Sequence, residues 1–473
     1  MPERPNILLI TTDQQRFDTI AALGNHQIYT PHLNWLADTG IAYTRCYTDC
    51  PVCMPARATM MTGLPGYAHG LVGNDTTCLP MRDHPTFASL LTQAGYQTRA
   101  EGKLHFHPMR ALYGLEHADL PMDYFNEMRR LGRASTRAHG VGENEMEPAL
   151  NTLPEQDTLT HWTVRRSMEF LDSRDPTRPF FLWTSFAKPH PPFDPCLPYW
   201  ELYRDAPLEP PAVGDWAQDP ARAPLGFYKP TFYLNNFWRF SPEQQRSAKR
   251  AYYACLTQID YNLGLLFARM RELELLQNTW IIFTSDHGEM LGDHRMGAKS
   301  VFFEGAAHIP FLIRPPAAFG QDGPPQRCGK LATLADLAPT ILHLAGVRAP
   351  SQMRGRDLLT YLDEGNEQDF FGDCEHTYFA VISGRYKYTW TRLGGGELLF
   401  DLQDDPRELH DLARLGGGEL VRMRGKLAAW MQAHCPACVR DGQLLAGPGI
   451  AGPQDVPRFP GLNTTLLPRD SYH

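Results

Sequence analysis

Three thiols stand close together in the stretch CYTDCPVCMPAR, at Cys46, Cys50 and Cys53, in a C-x3-C-x2-C spacing, and thiolates gathered so closely could ligate an iron–sulfur cluster. Read from the third thiol onward, the same letters support different chemistry. Pro55 suits a first helical turn and ARATMMTGL continues as a helix, which puts Cys53 at or next to the helix N-terminus. Backbone amides and the helix dipole favour an anion there. One reading makes Cys53 a cluster ligand, the other sets it beside a bound anion, and the rest of the chain decides between them.

The elements that must position such chemistry are visible as four short apolar runs, read as buried strands of a parallel or mixed sheet. Each is followed by polar groups. NILLITTDQQ ends in Asp13 and Gln14, YQTRAEGKLHF gives way to Lys103 and His105, PFFLWTSFAKPHPPF to His190, and WIIFTSDHGE to Asp286 and His287. Helical patterns such as HPTFASLLTQAG and YYACLTQIDYNLGLLFARMREL alternate with these runs, so the order predicts an α/β sheet with helices on both faces. In such sheets ligands bind beyond the carboxyl ends of the strands, and these polar groups are therefore predicted to converge.

At 473 residues the chain exceeds what one hydrophobic core usually serves, which predicts a large domain with a smaller partner. The net charge of −8 and the pI near 6.1 give no general attraction to nucleic acid or to an anionic membrane, so an anionic substrate must be drawn by a local cationic site. No apolar run reaches the length of a membrane span, and MPERPNILLITTD enters a strand-like run at once, so a cytoplasmic protein is expected. The ten cysteines are then reduced thiols. Cys435 and Cys438 form a C-x-x-C, but no second pair completes a zinc site and no strand leads into it as a redox motif needs. Without export, the sequons at Asn74 and Asn463 meet no glycosylation machinery.

From about residue 371 the texture changes to strand-like pieces, YFAVISGRYKYTW and GELLFDL, followed by a helix near ELVRMRGKLAAWMQAH. This predicts a small α+β subdomain with an antiparallel sheet over 371–473, after a large domain over 1–370. RLGGGEL occurs at 392–398 and again at 414–420, read as a turn and a loop. The Gly- and Pro-rich tail over 439–473 is long enough to drape over the surface or a neighbouring subunit, which leaves a homo-oligomer open. The insertion over 190–244 carries Tyr199, Trp200, Tyr203, Trp216, Tyr228, Tyr233 and Trp238, either lining a substrate cleft or packing a long loop. Arg129, Arg130, Arg133 and Arg137 read as a solvated basic loop.

With these residues assembled, the chain resembles the sulfatases of the alkaline phosphatase superfamily. C-M-P-A-R resembles their signature C-x-P-x-R, whose cysteine is oxidised after translation to formylglycine. TTDQQ, TPHLNWLADTGIAYTRCY, CMPARATMMTG, EGKLHF, KPHPPF, DHGEMLGDH, KSVFFEGAAHIPFLI, DLAPTILHLAGV, RYKYTW and LFDLQDDPRELHDLA follow in the family's order from residue 6 to about residue 413. The three-thiol loop is similar to that of radical-SAM enzymes, but nothing downstream resembles their barrel, which leaves Cys46 and Cys50 as ordinary buried thiols. The resemblance implies an alkaline-phosphatase-like fold, a large mixed and mostly parallel sheet flanked by helices, with residues 1–370 as the catalytic domain.

It also implies the chemistry. A sulfate ester repels nucleophiles, so a cation must bind its oxygens and an activated oxygen must attack. The formylglycine hydrate made from Cys53 would supply two hydroxyls on one carbon, one to attack sulfur and one to expel sulfate. Asp13, Gln14, Cys53, Asp286 and His287 would hold one divalent metal. Hard oxygen ligands suit calcium, whereas Gln14 in place of a common aspartate and His287 in place of a common asparagine make manganese a competitor. Arg57 would orient the formylglycine, Lys103, His105 and Lys299 would neutralise substrate oxygens, and His190, aided by Lys299, would protonate the leaving alcohol. Asn74 and His308 also fall where family members can touch substrate. The implied partners are a small or carbohydrate sulfate ester and a formylglycine-generating enzyme, with neither nucleic acid nor membrane. A phosphonate monoester or phosphodiester hydrolase on the same scaffold is the alternative: Gln14 and His287 favour it, Lys103 and His105 favour the sulfatase. A sulfatase-fold binding protein without turnover would follow if Cys53 is never converted.

Overall fold

The computed structural model describes residues 4–450 and 452, apart from 137, 219–222, 235–236, 317–325 and 362–367. A nine-stranded sheet is built from β1 (Asn6–Asp13), β2 (Ile41–Tyr47), β3 (Gln97–Gly102), β4 (His117–Asp119), β5 (Phe180–Pro189), β6 (Thr279–Ser285), β7 (His308–Ile309), β8 (Phe311–Arg314) and β9 (Gln326–Thr333). Its first five neighbours, β4, β3, β5, β1 and β6, run parallel. β8 then turns antiparallel to both β6 and β2, β7 is antiparallel to β2, and β9 pairs parallel with β2. The four strands expected from apolar runs are thus β1, β3, β5 and β6, side by side.

Helices cover both faces because alternate residues of the strands point to opposite sides. Ile7 and Leu9 of β1 pack into one core with the helix Cys53–Thr62, the helix Phe87–Gln93 and the helix Leu337–Leu344. Leu8 and Ile10 pack into the other, against the helices Pro31–Asp38, Leu159–Ser173 and Pro242–Glu272. The last of these starts with a capping box, in which Ser241 and Gln244 satisfy each other's backbone amides, and Pro242 at its first position.

A second sheet is fully antiparallel, in the order β10 (Phe370–Cys374), β11 (Tyr378–Ser383), β12 (Tyr386–Thr391) and β13 (Glu397–Asp401), and the helix Gly418–His434 lies on it through Leu420, Met423, Leu427 and Met431. The first RLGGGEL forms the β12–β13 turn and the second opens that helix. The tail beyond 452, with Asn463, lies outside the described residues. In the 190–244 insertion the aromatics pack: Tyr199, Tyr203, Trp216 and Tyr228 are buried and Trp200 and Trp238 half-buried, while the side chain of Tyr233 is outside the described residues. Arg129 and Arg130 end the helix Pro121–Arg130 instead of standing in a loop, Arg133 pairs with Asp157, and Arg137 is outside the described residues. No helix among the described residues is long and apolar enough to cross a membrane.

Candidate active site

Strand register explains why the polar groups meet. Thr12 of β1 lies opposite Ser285 of β6, so Asp13 and Asp286 leave neighbouring strands together. On the other side Asp13 lies level with Pro189, which delivers His190, and Gly102 lies opposite Ser185, which delivers Lys103. Gly102 has φ +102°, and an added Cβ would lie 2.0 Å from the Ser185 carbonyl oxygen, so only glycine lets the chain turn into the lysine here. Cys53 arrives separately, as the first residue of its helix, capped by extended Val52. That helix is buried on every side, and Cys53 is 2 % exposed.

Asp13, Cys53, Asp286 and His287 bring their ligand atoms within 4.8 Å of one another, the one such group of three or more among the described residues. Cys53 Sγ lies 3.2 Å from His287 Nε2 and 3.8 Å from Asp13 Oδ1. His287 Nδ1 lies 3.0 Å from the Gly288 carbonyl oxygen, a partner that keeps a proton on Nδ1 and turns Nε2 toward the group, where it would offer its lone pair to a bound cation in place of a proton. Gln14 follows on Asp13, with its backbone amide donating to Asp286 Oδ1 at 3.0 Å. Its side-chain oxygen accepts from Lys299 Nζ at 2.5 Å.

Cations surround this group. Arg57, fully buried, donates to Asp286 Oδ2 at 3.1 Å, to Asp13 Oδ2 at 3.2 Å and to the Lys103 carbonyl oxygen at 2.5 Å. Lys103 Nζ lies 2.7 Å from Asp13 Oδ2, and Lys299 Nζ donates to His190 Nε2 at 3.1 Å, while His190 Nδ1 donates to the Pro191 carbonyl oxygen. His105 lies beside Cys53, its Nδ1 without a hydrogen-bond partner. Gln14, His105, Ala298 and Ser300 all have positive φ, between 54° and 77°. Such strain in non-glycine residues costs on the order of 1–3 kcal/mol each and gathers at functional sites.

The electrostatics follow from burial and these cations. Burial alone raises the Asp13 carboxyl, but Lys103, His190 and Arg57 outweigh it and hold the group well below the usual carboxylate range. Asp286 goes the other way, to about 6, because burial and the facing Asp13 outweigh His287 and Arg57. Burial and Asp13 oppose ionisation of the Cys53 thiol, yet Lys299, Lys103 and His287 bring it well below its ordinary value. Burial and the two lysines push the His190 imidazole well down. Two carboxylates buried face to face, one holding its proton more tightly than usual, are what a divalent cation relieves, and the carboxylate, amide and imidazole donors suit calcium or manganese.

Every residue named in advance for the metal or the chemistry is in this cluster. Asn74 adjoins it, its Oδ1 accepting from the Met54 amide at 3.2 Å. His308 does not: its ring stacks on Phe17 and Tyr47, and its nitrogens face Glu304 and the Thr44 carbonyl oxygen. It borders a separate cleft of about 630 Å³ that contains none of the clustered residues. Cys46 is in the sheet core and Cys50 lies beside Cys374, so neither joins Cys53 as a cluster ligand. Sequence reasoning missed Ser185, whose hydroxyl links Thr11, Arg57 and the Lys103 carbonyl oxygen, and Glu289, although DHGE was in view.

The family model described as Sulfatase matches residues 5–347, and one described as N-sulphoglucosamine sulphohydrolase, C-terminal, matches residues 292–427. The chain is 32% identical over 440 residues to an arylsulfatase of Clostridium perfringens, covering 86% of this chain and 90% of that protein. It is 29% identical over 468 residues to a choline-sulfatase of Rhizobium meliloti, covering 93% and 90%. Among solved structures, the phosphonate monoester hydrolase of Agrobacterium radiobacter superposes with a TM-score of 0.77 at 25% identity, covering 91% of this chain and 96% of that one.

Proposed function

The chain belongs to the sulfatase family and is a sulfuric ester hydrolase, and from that premise we propose that it cleaves sulfate monoesters with formylglycine made from Cys53 and one divalent metal. The observation that carries this reading is the placement of Cys53 at a helix N-terminus, against two buried carboxylates and within reach of Lys103 and Lys299. Converted by a formylglycine-generating enzyme and hydrated, residue 53 supplies two hydroxyls on one carbon, one to attack sulfur and the other to expel sulfate. Asp13, Gln14, Asp286, His287 and residue 53 would hold a divalent cation, calcium expected and manganese as competitor, which would supply the positive charge that makes a hydroxyl at residue 53 more acidic.

The chain's own residues do the rest of the work in this proposal. Arg57 ties both carboxylates to one guanidinium and so fixes the floor of the site. Lys103, His105 and Lys299 meet the nonbridging sulfate oxygens. His190, whose Nε2 lies 3.1 Å from Lys299 Nζ, gives a proton to the leaving alcohol with the aid of that lysine. The division at residue 370, with residues 1–370 as the catalytic domain, belongs to the same proposal.

Mass analysis of the peptide carrying residue 53, from the native host, tests the nucleophile. The aldehyde or its hydrate is expected, and a thiol in all molecules would support a binding protein without turnover. Phosphonate monoester hydrolysis is the second reading, favoured by Gln14 and His287 in the metal group and by the hydrolase from Agrobacterium radiobacter. Kinetics on an aryl sulfate and an aryl phosphonate monoester, side by side, decide the order. Faster turnover of the sulfate is expected, and a much faster phosphonate would reverse it.

A further inference from the structure

Glu289 is fully buried, four residues beyond the end of β6, and all of its hydrogen bonds can be traced. Oε1 accepts two backbone amides of its own loop, from Leu291 at 3.0 Å and from Ala298 at 2.6 Å. Oε2 accepts the side-chain amide nitrogen of Gln14 in a short bond. On the far side of that amide, Lys299 donates to Gln14 Oε1 at 2.5 Å. An ammonium can only donate and a carboxylate can only accept, so the two neighbours agree on which end of the amide is oxygen.

We propose that Glu289 is a positioning residue for the metal site, its carboxylate holding the Gln14 amide in the one orientation that presents Oε1 to the cation and to Lys299. The inference rests on the reading of Gln14 as a metal ligand. A glutamine side chain offers an acceptor at one terminal atom and a donor at the other, and a half-turn about its last torsion would present NH2 to a cation. An aspartate in the same place has no such ambiguity. The glutamine therefore brings a need that Glu289 meets, and the negative charge missing from residue 14 reappears one hydrogen bond further out.

The geometry dictates an isosteric test. In Glu289→Gln the Leu291 and Ala298 amides still demand an acceptor, so the new amide turns its oxygen to them and its NH2 to the NH2 of Gln14. Donor then faces donor, and Gln14 must flip or withdraw. Adding Gln14→Glu restores a donor–acceptor pair across the same contact, because the carboxylate now at position 14 accepts from the amide at position 289 and still offers an oxygen to Lys299. Ca2+ and Mn2+ would each be titrated calorimetrically into chelator-stripped full-length protein, with thermal unfolding in excess chelator as the control for folding. E289Q should bind the cation about 10- to 100-fold more weakly, the range seen when outer partners of metal ligands are lost. The double variant Q14E/E289Q should return to within about threefold of wild type and bind more tightly than Q14E alone, since in that single variant two carboxylates face each other across the contact.

Wild-type affinity in E289Q would overturn the proposal, and so would a double variant that binds no better than E289Q, even if E289Q itself folds poorly. No ester is present in the titration, so the result is independent of the sulfatase chemistry. A wild type that binds neither cation would remove the metal reading and this inference with it, whereas a wild type that binds, with indifferent variants, removes this inference alone.

Discussion

Arg57 shows what single residues contribute here. Its planar fork reaches Asp13 and Asp286 at once and also meets the Lys103 carbonyl oxygen, which a lysine ammonium at the same place cannot do. Arg57→Lys should therefore lower kcat/KM on an aryl sulfate by about 10²-fold or more while the melting temperature shows a folded protein. Glu101 gives a pH signature instead. Burial pushes its carboxyl up to about 8 against the pull of Arg99, and its Oε2 has no hydrogen-bond partner. The folded state holds this proton more tightly than the unfolded chain does, so the stability it contributes is complete below about 4.5 and is lost as pH rises through about 8. Chemical denaturation between pH 5 and 9 should show that decline, and Glu101→Gln should flatten it by on the order of 2 kcal/mol. Asp13, Lys103, His190 and Asp286 could be read from the sequence because each stands just past an apolar run. Glu289 could not, because its partner is the amide of Gln14, 275 residues away in sequence.

At the level of elements, the join between the two sheets sets a buried ionic network beside an apolar cluster in which Tyr47 and Leu331 of the first sheet meet Phe370, Ile382 and Phe400 of the second. Lys387 of β12 is buried between Glu304, 2.6 Å away, and Glu408, 2.5 Å away, and Glu304 in turn holds His308 and the Tyr47 hydroxyl of β2. Lys387→Met keeps the length and removes the one ammonium that the two buried carboxylates share. A loss of about 3–5 kcal/mol in urea unfolding at pH 7 is expected. A variant as stable as wild type would mean that water reaches the carboxylates. The strand-like pieces YFAVISGRYKYTW and GELLFDL make β11, β12 and β13 of the second sheet legible in the sequence, but its first strand, β10, and the antiparallel β7 and β8 are not. Two- to five-residue strands leave too few residues for a period to show, and a strand's direction is fixed by its partners. That antiparallel insertion lets β2 lie parallel to β1 two places beyond β6, so that Cys53 leaves the sheet on the edge where the carboxylates stand.

At the scale of the whole molecule, the proposed cation should contribute to stability. Chelator should lower the melting temperature by about 1–3 °C, and Ca2+ or Mn2+ should restore it, because an ion that binds only the folded state adds its binding energy to stability. Aryl sulfatase turnover should vanish and return in step, and turnover that persists in excess chelator would remove the metal from the proposal. The site also gathers residues from 13 to 299, and β1 waits for β5 and then β6 as its neighbours. Translation at about 5–20 residues per second thus leaves a nascent chain inert for some tens of seconds. Until Asp286 and Lys299 have emerged from the ribosome, the emerging signature at residue 53 has neither wall nor floor, and a truncated message yields a protein unable to attack any ester.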